Sequence, residues 1–265
     1  TDENRCFNIP MSAPNSSQRM MLSGNLATRS PRPTNDESGV LTLGRSVSVA
    51  DHFATLIAKH VQSDMVLETG AFTSSYKQRG YISSYRAIFL IIDSPQALEE
   101  NLALVQNLRD DNLKPLICAV VTGRGAVNKI KYFLAGADAC IKLNTMGDDS
   151  DELLTEFFNS EDWQRDINLT LDPTRICLMD SRRKLDISFA EMKILEAFAQ
   201  TANHILSHDE IAGIMGLNSN FYDPRALEKS ISRLRGKIKD MYGTNAIQSI
   251  RGYGYRLMRG LISTA

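Results

Sequence analysis

Residues 223–258 read DPRALEKSISRLRGKIKDMYGTNAIQSIRGYGYRLM, and the two halves of that stretch follow different periodicities. Asp223 followed by Pro224 is a helix start, a side-chain acceptor ahead of a first-turn proline. At 100° per residue, Leu227, Ile231, Leu234 and Ile238 fall within about 40° of one direction, which predicts a helix to about Tyr242 with a buried stripe. Arg225, Lys229, Ser232, Arg233 and Gly236 fall on the opposite side. Beyond it, Gly252 and Gly254 allow a tight reversal, so IQSI and YRLM form a hairpin with Tyr253 at its tip and Arg251 at its edge.

Cations, a hydroxyl and a glycine along one exposed helical face suit a duplex groove: phosphate contacts, an arginine able to grip guanine, and room for close backbone approach. An arginine on a narrow hairpin suits the minor groove. The candidate nucleic-acid contacts are Arg225, Lys229, Ser232 and Arg233 on that face, the cations Arg235 and Lys237 beside it, and Arg251 and Tyr253 on the hairpin. Between residues 220 and 260, nine Lys/Arg stand against three Asp/Glu, the electrostatic footprint of a polyanion binder, although the whole chain carries a net charge of only −1.

Upstream, Ser207 with Glu210 and Ser188 with Glu191 are two S-x-x-E capping boxes. The first opens a short helix through Ile211 and Met215, stopped by GLNSN; the second opens a helix whose expected apolar stripe is Phe189, Met192, Leu195, Phe198 and Ala202. A short helix, a loop and a longer amphipathic helix make a helix-turn-helix. Before them, INLTL, RICLM and LDIS are short strands joined by DPT and DSRRK, an antiparallel meander.

The segments LDISFAEMKILEAFA, ILSHDEIAGIMG, DPRALEKSISRLRGKI and IQSIRGYGYRLM together resemble the winged-helix effector domain of the OmpR/PhoB family of response regulators, over roughly residues 165 to 258. The resemblance implies that the third helix enters the major groove and the wing arginine reaches backbone or minor groove, roles that fall on Arg233, Arg235 and Arg251. Glu228 and Lys229 depart from the family's usual acid followed by an apolar residue, which implies a different target sequence.

From about residue 41 to 160 apolar strands alternate with helical segments. Strands are expected at LTLGRSVSVA, DMVLETGAF, YRAIFLIID, LICAVVT and ACIKL, and helices at HFATLIAKHV, ALEENLALVQNLRD, AVNKIKYFLAGA and DELLTEFFN. Near-continuously apolar strands alternating with helices predict a parallel five-stranded sheet covered on both faces, an α/β doubly wound domain followed by the α+β winged helix-turn-helix domain of residues 161–260. The family resemblance implies that this first domain is a receiver, with a phosphoacceptor at the carboxyl ends of its strands. Asp93, Thr122 and Lys142 stand at three strand ends in the receiver's order and at separations of 29 and 20 residues (122 − 93; 142 − 122). Asp93 is the candidate phosphoacceptor, with Asp51, Thr122 and Lys142 as its neighbours.

The departures are chemical. Where the family carries two adjacent acids for Mg²⁺ at the end of the first strand, VSVADHF offers Ala50 and Asp51, which leaves Asp51 and Asp93 as a weak site for a hard cation. Leu143 replaces the usual proline, and DDSDELLTEFFNS lacks the basic side chains of the family's final receiver helix. Two expectations stand side by side: an atypical receiver that works without phosphorylation, and a conventional one activated at Asp93. A cognate histidine kinase is left open. The resemblance also implies a homodimer through the receiver-like domain, promoter DNA and RNA polymerase as partners, and a cytoplasmic location.

Residues 1–40, rich in Ser, Pro, Asn and Gly, read as a disordered tail. No run approaches the roughly 20 apolar residues of a membrane span. The four cysteines have neither C-x-x-C spacing nor histidines at ligand spacing, so zinc is not expected, and TGRGAVNK completes no nucleotide-binding glycine pattern. No nucleophile and base pair up in the first half, so no catalytic residue, enzyme activity or resident cofactor is expected.

Overall fold

The computed structural model describes residues 39–72, 85–111, 114–144, 149–164, 166–218 and 221–265. The expected tail lies outside the described residues, except that Gly39 and Val40 belong to the first strand. The first half runs β1 (Gly39–Gly44), α1 (Val47–Ala58), β2 (Val66–Ala71), β3 (Tyr85–Ile92), α2 (Leu98–Asp111), β4 (Leu116–Thr122), α3 (Lys129–Ala135), β5 (Ala139–Leu143) and α4 (Asp149–Phe158). All five strands are parallel, in the order β2-β1-β3-β4-β5. Strand order reverses between β1 and β3, so their carboxyl ends border the crevice where such sheets place their sites.

Alternation along β3 sends Ala87, Phe89 and Ile91 to a core beneath α1 and α4, and Ile88, Leu90 and Ile92 to a second core with Val105 of α2 and Tyr132 of α3. Both faces are apolar because both are covered.

One expected strand is corrected. LTLGRSVSVA is a strand only to Gly44; Ser46 accepts a hydrogen bond from the Val49 amide and opens α1, whose buried residues are Ala50, Ala54 and Ile57. The alternation in VSVA imitates a strand, but burial at four- and three-residue intervals belongs to a helix. Asp51 therefore lies in the second turn of a helix and not at a strand end.

A single turn, α5 (Glu161–Gln164), leads into the second half: β6 (Leu169–Asp172), β7 (Cys177–Met179), β8 (Lys184–Asp186), α6 (Phe189–Gln200), β9 (Ile205–Ser207), α7 (His208–Ile214), α8 (Pro224–Tyr242), β10 (Ile247–Ile250), β11 (Gly254–Leu257) and β12 (Ile262–Thr264). The meander β6-β7-β8 is antiparallel, and β12, which lies past the expected boundary at 260, adds to it in parallel beside β6. A second sheet, β10-β11-β9, forms the wing. Both predicted capping boxes close, Ser188 with Glu191 and Ser207 with Glu210. The α6 stripe differs at its ends: Met192, Ile194, Leu195 and Phe198 are buried, whereas Phe189 is 61% exposed.

The described residues form one compact unit. Within it, Asp138, immediately before β5, accepts hydrogen bonds from Arg109 Nη2 (2.5 Å), Arg259 Nε (2.7 Å) and the Ile117 amide (2.9 Å). Burial pushes the Asp138 carboxyl up, but Arg109, Arg259, Arg256 and the Ile117 amide outweigh that and hold it below its ordinary 3.8. Close by, His204 donates from Nδ1 to the Phe198 carbonyl (2.8 Å), and burial, aided by Arg259, pushes its imidazole below 6.5. Both folded values are depressed. Their stabilisation is present above the unfolded values and is lost as pH falls through the folded ones. The urea midpoint should hold steady above pH 6.5, decline below it as His204 is forced to charge, and decline again below about pH 4 as Asp138 takes a proton. His204→Asn, which suits the left-handed backbone there (φ 54°), should remove the first decline.

Candidate functional site

Helix α8 is oriented by its core stripe. Leu227, Ile231, Leu234, Ile238 and Tyr242 are buried, each at 3% exposure or less, and Asp223 caps the first turn by accepting from the Arg225 amide at 3.0 Å. With that face inside, Arg225, Lys229, Ser232 and Arg233 stand exposed on the far side.

The other two candidate cations on α8 face protein. Arg235 donates from Nη2 to Ser249 Oγ on β10 (2.9 Å), and its guanidinium lies over the Tyr255 ring on β11, 5.5 Å from the centroid. Lys237 donates to both carboxylate oxygens of Glu191, at 2.9 and 2.8 Å, tying α8 to the capping box of α6. Burial pushes the Glu191 carboxyl up, but Lys237 and the Ser188 amide prevail and lower it. Motif position placed Arg235 and Lys237 beside the others; it carried no sign of Ser249 or Glu191 as their partners.

On the wing, Arg251 is exposed at the start of the turn. Gly252 has φ 77°, the left-handed backbone the reversal needs. Gly254 serves differently: a Cβ there would lie 2.1 Å from the Leu206 carbonyl oxygen, so its lack of a side chain lets β11 pair with β9. Tyr253 is half-buried, and its carbonyl accepts from the His208 amide (3.1 Å), which joins the wing tip to the first turn of α7.

At the carboxyl edge of the parallel sheet, Asp93 follows β3 and Thr122 ends β4, its Oγ1 donating to the Ile92 carbonyl at 3.4 Å. Lys142 on β5 donates to the Gly123 carbonyl. Asp51 is turned the other way, accepting from Thr69 Oγ1 on β2 at 2.6 Å, so that β1 lies between Asp51's partner strand and β3. The residue following β1 is Arg45, and its Nη2 pairs with Asp93 Oδ2 at 3.0 Å. Where the family resemblance implies acids, a guanidinium stands.

A divalent cation does not fit this donor set. The carboxylate of Asp93 pairs with the Arg45 guanidinium, Asp51 accepts from Thr69, and among the described residues no group of three or more His, Cys, Asp or Glu could hold a metal ion. As an exposed pair, Arg45 and Asp93 contribute only about 0.2–1 kcal/mol to stability. Arg45 lies between the end of β1 at Gly44 and the Ser46 cap of α1, a boundary that the alternation of VSVA masks.

Residues 182–257 match the family model described as "Transcriptional regulatory protein, C terminal". The heme response regulator HssR of Staphylococcus epidermidis is 25% identical over 211 residues, 76% of this chain and 91% of that protein. Among solved structures, the DNA-binding domain of Escherichia coli CadC is 27% identical, covering 32% of this chain and 81% of that one with a TM-score of 0.29. The Thermotoga maritima response regulator DrrB, an OmpR/PhoB homologue, is 14% identical, covering 83% and 98% with a TM-score of 0.34. No helix among the described residues is long and apolar enough to cross a membrane.

Gly236 lies inside α8 with nothing within 4 Å of where a Cβ would stand. Gly236→Ala should therefore raise stability by about 1 kcal/mol, measured by urea denaturation, through helix propensity alone.

Proposed function

We propose that the chain is a response regulator of the OmpR/PhoB type, a promoter-binding dimer whose receiver-like half works without phosphorylation. Its C-terminal half is a DNA-binding transcription-regulator domain preceded by a doubly wound parallel sheet. The observation that carries the finer reading is the exposure of Arg225, Lys229, Ser232 and Arg233 on the side of α8 opposite its buried stripe. On this reading α8 lies in the major groove, Arg233 reads a base edge, Arg225 and Lys229 hold phosphates, and Arg251 enters the adjacent minor groove. Arg235 and Lys237 support the surface: one braces α8 against the wing and the other ties it to α6. Tyr253 keeps the wing tip on α7.

The domains of this reading are residues 41–160 and 161–260, with β12 completing the second. The first provides the homodimer contact and the second recruits RNA polymerase at the promoter, in the cytoplasm. Support for phosphorylation independence is the pair Arg45–Asp93: phosphoryl transfer to a carboxylate relies on a cation that bridges acids, and here the acids are replaced by a tethered guanidinium that cannot deliver a phosphoryl donor. A cognate histidine kinase is not required.

Binding to a duplex enriched from a random-sequence pool by the full-length chain should be followed by fluorescence anisotropy. Arg233→Ala should weaken it roughly 10- to 100-fold and relax selectivity at one base pair, whereas Lys229→Ala should weaken all sequences alike and lower the salt slope by about 1. Unchanged affinity in both would refute this reading surface. Incubation with acetyl phosphate and Mg²⁺, followed by intact-mass measurement, should leave the protein unmodified; an adduct that Asp93→Ala abolishes would instead establish the phosphorylated reading.

A further inference from the structure

The wing is held from below by the first half of the chain. Trp163, at the third position of α5, is buried among Phe158, Phe157 and Phe89 of the parallel-sheet core, at centroid distances of 4.7, 5.9 and 6.4 Å, with the Arg86 guanidinium 4.5 Å from its ring centroid. Its two predecessors face the other way. Glu161 accepts from Thr244 Oγ1 (3.2 Å) and from the backbone and side-chain nitrogens of Asn245 (both 2.7 Å), at the entrance to β10. Asp162 accepts from Gln248 Nε2 (3.2 Å) and Arg256 Nη2 (3.0 Å).

Gln248 and Arg256 are directly opposite one another in the β10-β11 ladder, and Arg256 Nη2 also donates to Gln248 Oε1 at 2.6 Å. Arg256 lies over the Phe133 ring of α3 at 5.6 Å and within 3.8 Å of Asp138 Oδ1. Beside it, Arg259 binds Asp138, and Asn203 Nδ2 donates to the Leu134 carbonyl at 2.6 Å. The turn bearing Arg251 begins only three residues beyond Gln248.

We infer that Asp162, seconded by Asp138, is a positioning residue for DNA recognition: by clamping the Gln248/Arg256 pair it fixes the direction in which the wing presents Arg251. Stability alone does not account for the arrangement. Buried ion pairs recover their desolvation cost only when fully hydrogen-bonded, and Asp162 Oδ1 and Arg256 Nη1 are buried with no hydrogen-bond partner. What such a cluster supplies is directional: any wing orientation that separates Arg256 from Asp162 leaves the buried Asp162 carboxylate without its cation. The first half thereby becomes part of the DNA-reading surface without touching DNA, and a change in the α3–β5 region or in α5 is transmitted to the wing.

The second measurement below rests on the reading of Arg251 as a DNA contact; the first does not. In the full-length chain without DNA, Asp162→Asn should raise amide hydrogen exchange in β10 and β11 by about 10-fold or more while leaving β3 and α6 unchanged. Arg256→Gln, which empties the clamp from the wing side, should do the same. With the pool-selected duplex, Asp162→Asn should weaken binding about 3- to 10-fold, and Arg251→Ala, costing about 10-fold in the wild type, should cost less than about 3-fold in the Asp162→Asn background. Unchanged exchange in both variants, or losses that simply multiply, would overturn the clamp. If Arg251→Ala has no effect in the wild type, the proposed role of the wing fails, and the exchange measurement alone then decides the clamp.

Discussion

Helix α8 can bury one face only, and which of its cations stand outward follows from which face that is. Leu227, Ile231, Leu234 and Ile238 enter a core shared with Met192, Leu195 and Phe198 of α6 and with Leu169 and Leu171 of β6. Full burial of a Leu or Ile is worth about 1.5–3 kcal/mol, so rotating the helix to hide its cations would forfeit several such contributions. Arg225, Lys229, Ser232 and Arg233 are outward because the apolar residues leave them nowhere else to be. Arg235 and Lys237, at the borders of the stripe, meet neighbouring elements instead, and the same geometry converts two cations into struts.

The second organising feature is the sharing of one carboxylate among arginines from distant parts of the chain. Asp138 receives Arg109 from α2 and Arg259 from beyond β11, with Arg256 near by, so the parallel sheet and the wing meet at a single buried acid. One negative charge among three guanidiniums leaves an excess that Asp162, 3.0 Å from Arg256, reduces. Short α5 then behaves as a rivet, with Trp163 in one core and Glu161 and Asp162 on the other half.

The carboxyl edge of the parallel sheet gathers Asp93, Thr122 and Lys142, and a guanidinium sets its electrostatics. Asp93 and Thr122 occupy strand ends, but the charge opposite Asp93 is supplied covalently, by Arg45, and Lys142 is spent on the Gly123 carbonyl. A tethered cation satisfies the carboxylate without opening a coordination position, which is what distinguishes an ion pair from a metal site.

The sequence alone determined the features that are local. Capping boxes at Ser188/Glu191 and Ser207/Glu210, the Asp223-Pro224 start and the α8 stripe depend on residues three or four apart, and the parallel sheet on runs of apolar residues long enough to be covered on both faces. The end of β1 was not legible, because VSVA alternates like a strand while Ser46 caps it as a helix, and the structure sets Arg45 beside Asp93 and Asp51 beside Thr69. Only the tertiary structure decided which cations are free. Ser249, Glu191, Asp138 and Asp162 lie 14 to 121 residues from the basic groups they bind, and no periodicity spans such separations; the packing of the elements brings those charges together.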